Sequence, residues 1–174
     1  MTASSTGQTC HKALLRDGKP VFIRLLQPAD AALYSDFRAE VTAEDMRLRF
    51  HAPVEDLSGE LVTRLTNLDP ARAAAFVAFG EEGRALLGIA RLHYEDGMDG
   101  EIAVLIRSRL KGRGLGSLLV QTLIDYARAI GLRSIYGRVL ADNRTMLKMC
   151  ANLGFEIGRE RGEPGVMRVT LKLR

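Results

Sequence analysis

Two hydrophobic rhythms alternate along the chain, one of period about 2 and one of period about 3.6, and the changes between them set the order of its elements. After a turn at Asp17-Gly18-Lys19-Pro20, residues 21–26 read as a strand. Pro28 suits the first turn of a helix whose largely apolar stripe runs through Ala31, Leu33, Tyr34, Phe37, Arg38 and Val41. Thr42 with Asp45 resembles a capping box opening a second helix through Phe50, which Pro53 ends. Ser58 is the expected cap of a third, in which Leu61, Val62, Leu65 and Leu68 recur at helical spacing before Asp69-Pro70 stops it. From Ala73 the rhythm becomes strand-like. Residues 73–79 and 85–94, joined by Glu81-Glu82-Gly83-Arg84, are expected to pair antiparallel.

A turn over 96–100 feeds a strand at 101–107. A long amphipathic helix follows at 114–130, with Leu118, Leu119, Leu123, Ile124, Ala127 and Ile130 inward and Gly131 as its stop. Then come a strand at 134–140, a tight Ala141-Asp142-Asn143 turn and a helix through Leu153. A strand begins at Gly154-Phe155 and returns, after Glu163-Pro164-Gly165, as 166–173. This order predicts an α/β (α+β) fold: a central mixed, mostly antiparallel sheet of about seven strands flanked by helices on both faces.

The 174 residues, 47% of them hydrophobic, suffice for one compact domain and are too few for two ordinary ones. We expect a disordered tail over 1–16 and a single domain over 17–174. A net charge of +4 suits an anionic ligand. The 25 basic and 21 acidic residues are interspersed, with neither a basic stripe nor an aromatic platform, which argues against nucleic acid. Cys10 and Cys150 form no disulfide framework, so a reducing cytoplasm is the expected location. No signal peptide or membrane span is readable. Cys10-His11 lacks a second close pair of ligands, since His51 and His93 are isolated, so no metal site is expected.

The most informative stretch is Arg109-Leu110-Lys111-Gly112-Arg113-Gly114-Leu115-Gly116-Ser117, where strand gives way to helix. Glycines at alternate positions allow positive φ and close approach of a ligand to the main chain, and a helix start offers unpaired N–H groups and a partial positive charge to an anion. Arg109, Lys111 and Arg113 add mobile charge at the rim. The Walker A spacing fails for want of a Gly-Lys-Ser/Thr, and the dinucleotide fingerprint fails because its third glycine would fall at Ser117.

What remains, Lys111-Gly112-Arg113-Gly114-Leu115-Gly116 after Ile102-Ala103-Val104-Leu105-Ile106, resembles the acyl-CoA-binding motif of the GNAT superfamily of N-acetyltransferases, with Lys where Gln or Arg is usual. The run from Asn143 to Leu153-Gly154-Phe155 is similar to that superfamily's Asn-containing helix. Val21 to Asp30, with Arg47-Leu48-Arg49-Phe50, further resembles the catalytic domain of bacterial protein-lysine acetyltransferases that act on acyl-CoA synthetases. The resemblance implies the GNAT fold from about residue 17 onward and acetyl-CoA as cosubstrate. It implies cofactor contacts from Val104, Leu105, Ile106, Lys111, Gly112, Arg113, Gly114, Leu115, Gly116, Ser117 and Asn143. The acceptor is expected to be a primary amine, either a protein lysine, such as one on an acyl-CoA synthetase, or a small molecule; a non-catalytic acyl-CoA-binding module is the competing class. The protein is expected to be a monomer or homodimer away from membranes.

Attack of an amine on a thioester needs a base, because with a pKa of about 10.4 only about one aliphatic amine in a thousand is neutral at pH 7. The resemblance places the catalytic carboxylate on the strand opened by Glu101, with His93, Glu95, Asp96 and Asp99 in reserve. The other reading of Glu101 is a solvated charge. Asn143 reads as a helix N-cap, as a pantetheine-binding amide, or as both. Cys150 stands where many superfamily members carry a Tyr that protonates the departing thiolate. It is either a weak acid or a small buried hydrophobe. Arg47, Arg49 and Phe50 read as acceptor-groove residues or as ordinary surface and core.

Overall fold

The computed structural model describes residues 10–51, 59–95 and 98–174. Eight strands form one sheet: β1 (His11–Leu14), β2 (Pro20–Leu25), β3 (Ala73–Phe79), β4 (Leu86–His93), β5 (Asp99–Ile106), β6 (Ser134–Leu140), β7 (Glu156–Arg159) and β8 (Val166–Lys172). Their spatial order is β1-β2-β3-β4-β5-β6-β8-β7. Every neighbouring pair is antiparallel except β5 and β6.

Period-2 alternation in β3 divides the core into two layers. Ala74, Phe76 and Ala78 face one cluster, which is covered by α4 (Leu115–Ala129) and α5 (Arg144–Asn152). Val77 and Phe79 face the other, covered by α1 (Tyr34–Ala39) and α2 (Ala43–Phe50) through Tyr34, Phe37 and Met46. Helix α3 (Gly59–Thr66) adds Val62 and Leu65 at the edge of this second cluster. Gly88 on β4 lets α4 lie close to the sheet, since a Cβ there would fall 2.9 Å from Leu119.

Several expectations are corrected. The ordered fold starts before residue 17, because His11–Leu14 add an eighth, edge strand by pairing with β2, while residues 1–9 of the expected tail lie outside the described residues. The first helix is a 3-10 turn over Pro28–Leu33 followed by a separate short α1. Thr42 caps α2 as expected, accepting from the Asp45 N–H at 3.2 Å, but the Asp45 carboxylate turns to Ser108 and Lys111 instead of closing the box on the Thr42 N–H. In α4 the inward row runs through Leu115, Leu119, Val120, Leu123, Ile124 and Ala127, and Ile130 lies outside the helix at 41% exposure. Pro53, Ser58 and Asp96 lie outside the described residues.

Candidate active site

The parallel pairing of β5 and β6 lasts three residues, Asp99 with Ser134, Gly100 with Ile135 and Glu101 with Tyr136, and then stops. Beyond it the strands diverge around a cavity of about 460 Å³, walled by residues 101–106 and 137–139, the glycine loop, α5 and the end of α2. The Arg107 N–H donates to Leu87 O at 3.0 Å, and this fixes the phase of the β4–β5 ladder. Because main-chain groups alternate sides in an antiparallel pair, Leu105 also turns its N–H to β4, whereas Val104 and Ile106 turn theirs into the divergence. Of the cofactor contacts expected from Val104, Leu105 and Ile106, a main-chain N–H contact is therefore corrected for Leu105, although the residue still lines the cavity.

At the neighbouring corner, Gly112 (φ 77°) and Gly114 (φ 90°) take left-handed conformations, and Gly114 is the N-cap of α4 without any side chain to cap it. The first helical bond of α4 runs from Leu118 N–H to Gly114 O at 3.1 Å. The N–H groups of Leu115, Gly116 and Ser117 thus meet no acceptor among the described residues, and the first turn carries no acid, so the corner favours an anion. Gly116 is helical, not left-handed. A Cβ there would sit 3.3 Å from the Met149 sulfur, so this glycine sets the spacing of α4 against α5.

The rim cations are each engaged in an ion pair. Arg109 pairs with Glu40 at 2.9 Å, Lys111 with Asp45, and Arg113 with Asp17. These pairs stitch the loop to α1, to α2 and to the β1–β2 turn, and the side chain of Arg113 does not line the cavity. Burial pushes the Asp45 carboxyl up, but the Lys111 ammonium and hydrogen bonds from Ser108 and Thr42 outweigh it and hold the group below its ordinary value. Arg16 lies instead over Gly114: its Cγ is 3.3 Å from where a Cβ would be. It has no carboxylate partner among the described residues and lines the cavity.

Glu101 lines the cavity at the point where pairing stops, with its side chain 35% exposed and held by Arg138 Nε at 3.2 Å. Arg138 also reaches Glu163 at 3.0 Å. Of the reserve candidates, His93 and Glu95 contact each other, Glu95 pairs with Arg72, and Asp99 accepts from Ser134; none of the three lines the cavity. Asn143 accepts from the Met146 N–H at 3.2 Å, so the capping reading holds for its oxygen, while its residue also lines the cavity. The catalytic placement of Cys150 is corrected. Its side chain is fully buried in the layer between α5 and the sheet and does not line the cavity, and burial pushes the thiol up to about 11.

On the opposite wall, α2 ends in Arg49, Phe50 and His51, all lining the cavity, with His51 left-handed at φ 59°. Arg47 faces away, pairing with Glu44 and Asp142. Arg16, Asp45 and Arg138 are functional candidates that sequence reasoning missed. Their roles come from contacts between residues 37 to 98 positions apart, for which no local signal exists. Among the described residues no group of three or more His, Cys, Asp or Glu is placed to hold a metal, and no helix is long and apolar enough to cross a membrane.

A profile of the Acetyltransferase (GNAT) family matches residues 32–155, and the chain belongs to that family. It is 34% identical over 145 residues to an acetyltransferase of Pseudomonas aeruginosa, spanning 81% of this chain and 77% of that one. It is 28% identical over 142 residues to acetyltransferase Pat of Mycolicibacterium smegmatis, taking in 80% of this chain but only 42% of Pat. In three dimensions it is similar to the GNAT domain of PAT from S. lividans, with a TM-score of 0.87, 27% identity, and coverage of 94% and 96% of the two chains.

Proposed function

We propose that the chain transfers an acetyl group from acetyl-CoA to a primary amine by direct attack within a ternary complex, and that the acceptor is a protein lysine such as one on an acyl-CoA synthetase. The observation that carries this reading is the divergence of β5 from β6 at Glu101, which sets a carboxylate beside unpaired main-chain donors and the uncapped start of α4. The resemblance of Val21 to Asp30 and of Arg47-Leu48-Arg49-Phe50 to protein-lysine acetyltransferase domains supports the lysine acceptor. The cosubstrate supplies an activated thioester and a thiolate that leaves without strong acid assistance, since thiols have a pKa of about 8.5.

In this reading the N–H groups from Gly112 to Ser117, with the guanidinium of Arg16, hold the pyrophosphate. The N–H groups of Val104 and Ile106 bond the pantetheine arm and the thioester oxygen, and the amide nitrogen of Asn143 adds a further donor. Glu101, oriented by Arg138, takes a proton from the acceptor ammonium; the neutral amine then attacks the thioester carbon, the C–S bond breaks and CoA leaves as its thiolate. The test is free-thiol release from acetyl-CoA across folded proteins and small amines. Release that depends on a protein, with acetyl-lysine found by mass spectrometry, is expected. Release with small amines alone would move the acceptor to that class, and none with any amine would overturn acetyl transfer.

A further inference from the structure

Arg49 is a positive charge with no ion-pair partner among the described residues. Its guanidinium carbon stacks 4.6 Å from the centre of the Phe50 ring. The residue lines both the large cavity and a smaller recess behind it, shared with Tyr34, Phe37, Leu65 and Arg91. Arg91 gives its hydrogen bonds to the Leu65 carbonyl at 2.7 Å and the Tyr34 hydroxyl at 2.5 Å. Neither arginine has a carboxylate within ion-pair reach among the described residues, whereas Arg138 across the cavity has two.

A half-buried guanidinium beside a second one is costly unless an anion joins them. Burial first, and then the charge of Arg91, pull Arg49 down to about 10; the charge of Glu101 opposes this only in part, being already engaged by Arg138. Arg49 nevertheless stays cationic at neutral pH, and its planar fork fits a carboxylate with two parallel hydrogen bonds. Arg49 and Glu101 line the same cavity, so one molecule can present its amine to the glutamate and an anion to the arginine.

We propose that Arg49, backed by Arg91, is an acceptor-recognition clamp for a carboxylate, so that the preferred acceptor is a primary amine with a carboxylate close to its nitrogen. This rests on the acetyl-transfer reading above and narrows its substrate class. Two sources share the chemistry: a free amino acid, and a lysine flanked by aspartate or glutamate.

The test uses matched pairs, L-alanine against L-alaninamide and an N-acetylated Glu-Lys-Glu peptide against its Gln-Lys-Gln counterpart, in wild type and Arg49→Gln. With acetyl-CoA saturating, kcat/KM should favour the acid member of one pair by about tenfold or more, as charge-assisted hydrogen bonds do. The pair that shows this preference identifies the source. In Arg49→Gln the ratio should fall to about one, and in Arg49→Lys, which keeps charge but loses the fork, to an intermediate value. Calorimetric titration of both peptides and of N-acetylalanine and its amide into the CoA-bound protein reads the same preference without turnover. Turnover without acid preference, or a ratio unchanged in Arg49→Gln, would overturn the clamp alone. Acid-selective binding that Arg49→Gln removes, with no turnover on any amine, would uphold the clamp and overturn acetyl transfer.

Discussion

At the glycine-loop end of the cavity the basic side chains of the loop are already engaged, Arg109 by Glu40, Lys111 by Asp45 and Arg113 by Asp17, and the unpaired donors there are main-chain N–H groups. At the α2 end the main-chain N–H groups are taken within the helix, as far as His51 N–H on Arg47 O, and the group with no ion-pair partner among the described residues is a side chain, Arg49. Backbone donors fixed by left-handed glycines suit a ligand part that never varies. A single long side chain suits a part that differs from one acceptor to another and is altered by one substitution. In the proposed reading this difference places the common cosubstrate at the first end and selectivity at the second.

Glu101 lies between the ends, and its replacement should have the largest effect. Glu101→Gln keeps shape and removes the base, so kcat should fall about 10²–10⁴-fold with little change in acetyl-CoA affinity, and raising the pH should restore part of it as more acceptor becomes neutral. Stopped-flow thiol release and calorimetry measure the two quantities. An equal loss of affinity would make Glu101 part of the binding wall instead.

Next in size is Gly114→Val. A β-branched side chain is strained at φ 90° and would press on Arg16. Wild type should gain about 2.7 kcal/mol against heat at acetyl-CoA near 100 Kd, and the variant should lose that gain in a melting-temperature titration. Retention of the shift would deny that the glycine-loop end is a main-chain site.

Asp45→Asn should be milder, costing about 1 kcal/mol at neutral pH, because Lys111 is partly exposed and solvent weakens the pair. Asp45 is held below its ordinary value of 3.8, so its stabilising contribution is full above that value and fades as pH falls through the lower folded-state value. Urea midpoints measured from pH 7 to 2 should fall less steeply on the acid side in the variant. A wild-type curve no steeper than the variant's would separate Lys111 from loop anchoring.

The same contrast explains what was legible in the sequence. Gly112, Gly114, the apolar row of α4, the β6 alternation and the Asn143 cap are local signals, and the structure reproduces their elements. Strand β1 escaped because its residues are mostly exposed and it forms only by pairing at the edge of β2. The orientation of Glu101 escaped because Arg138 reaches it only through the parallel register of β5 and β6. The charges of the loop looked mobile because Asp45, Glu40 and Asp17 lie 66 to 96 positions away. In Cys150 a chemically active residue type met helical periodicity, and the packing layer claimed it.

The divergence of β5 from β6 also sets a clock. Protection of an amide from exchange with deuterated solvent follows the hydrogen bonds that must open, residue by residue. Leu105, laddered to β4, should exchange on the slow scale of the sheet centre, while Val104 and Ile106 on either side should exchange as loop amides do. A strand with that alternating record has one edge zipped and the other waiting, and loading of the cavity is read as two fast amides turning slow.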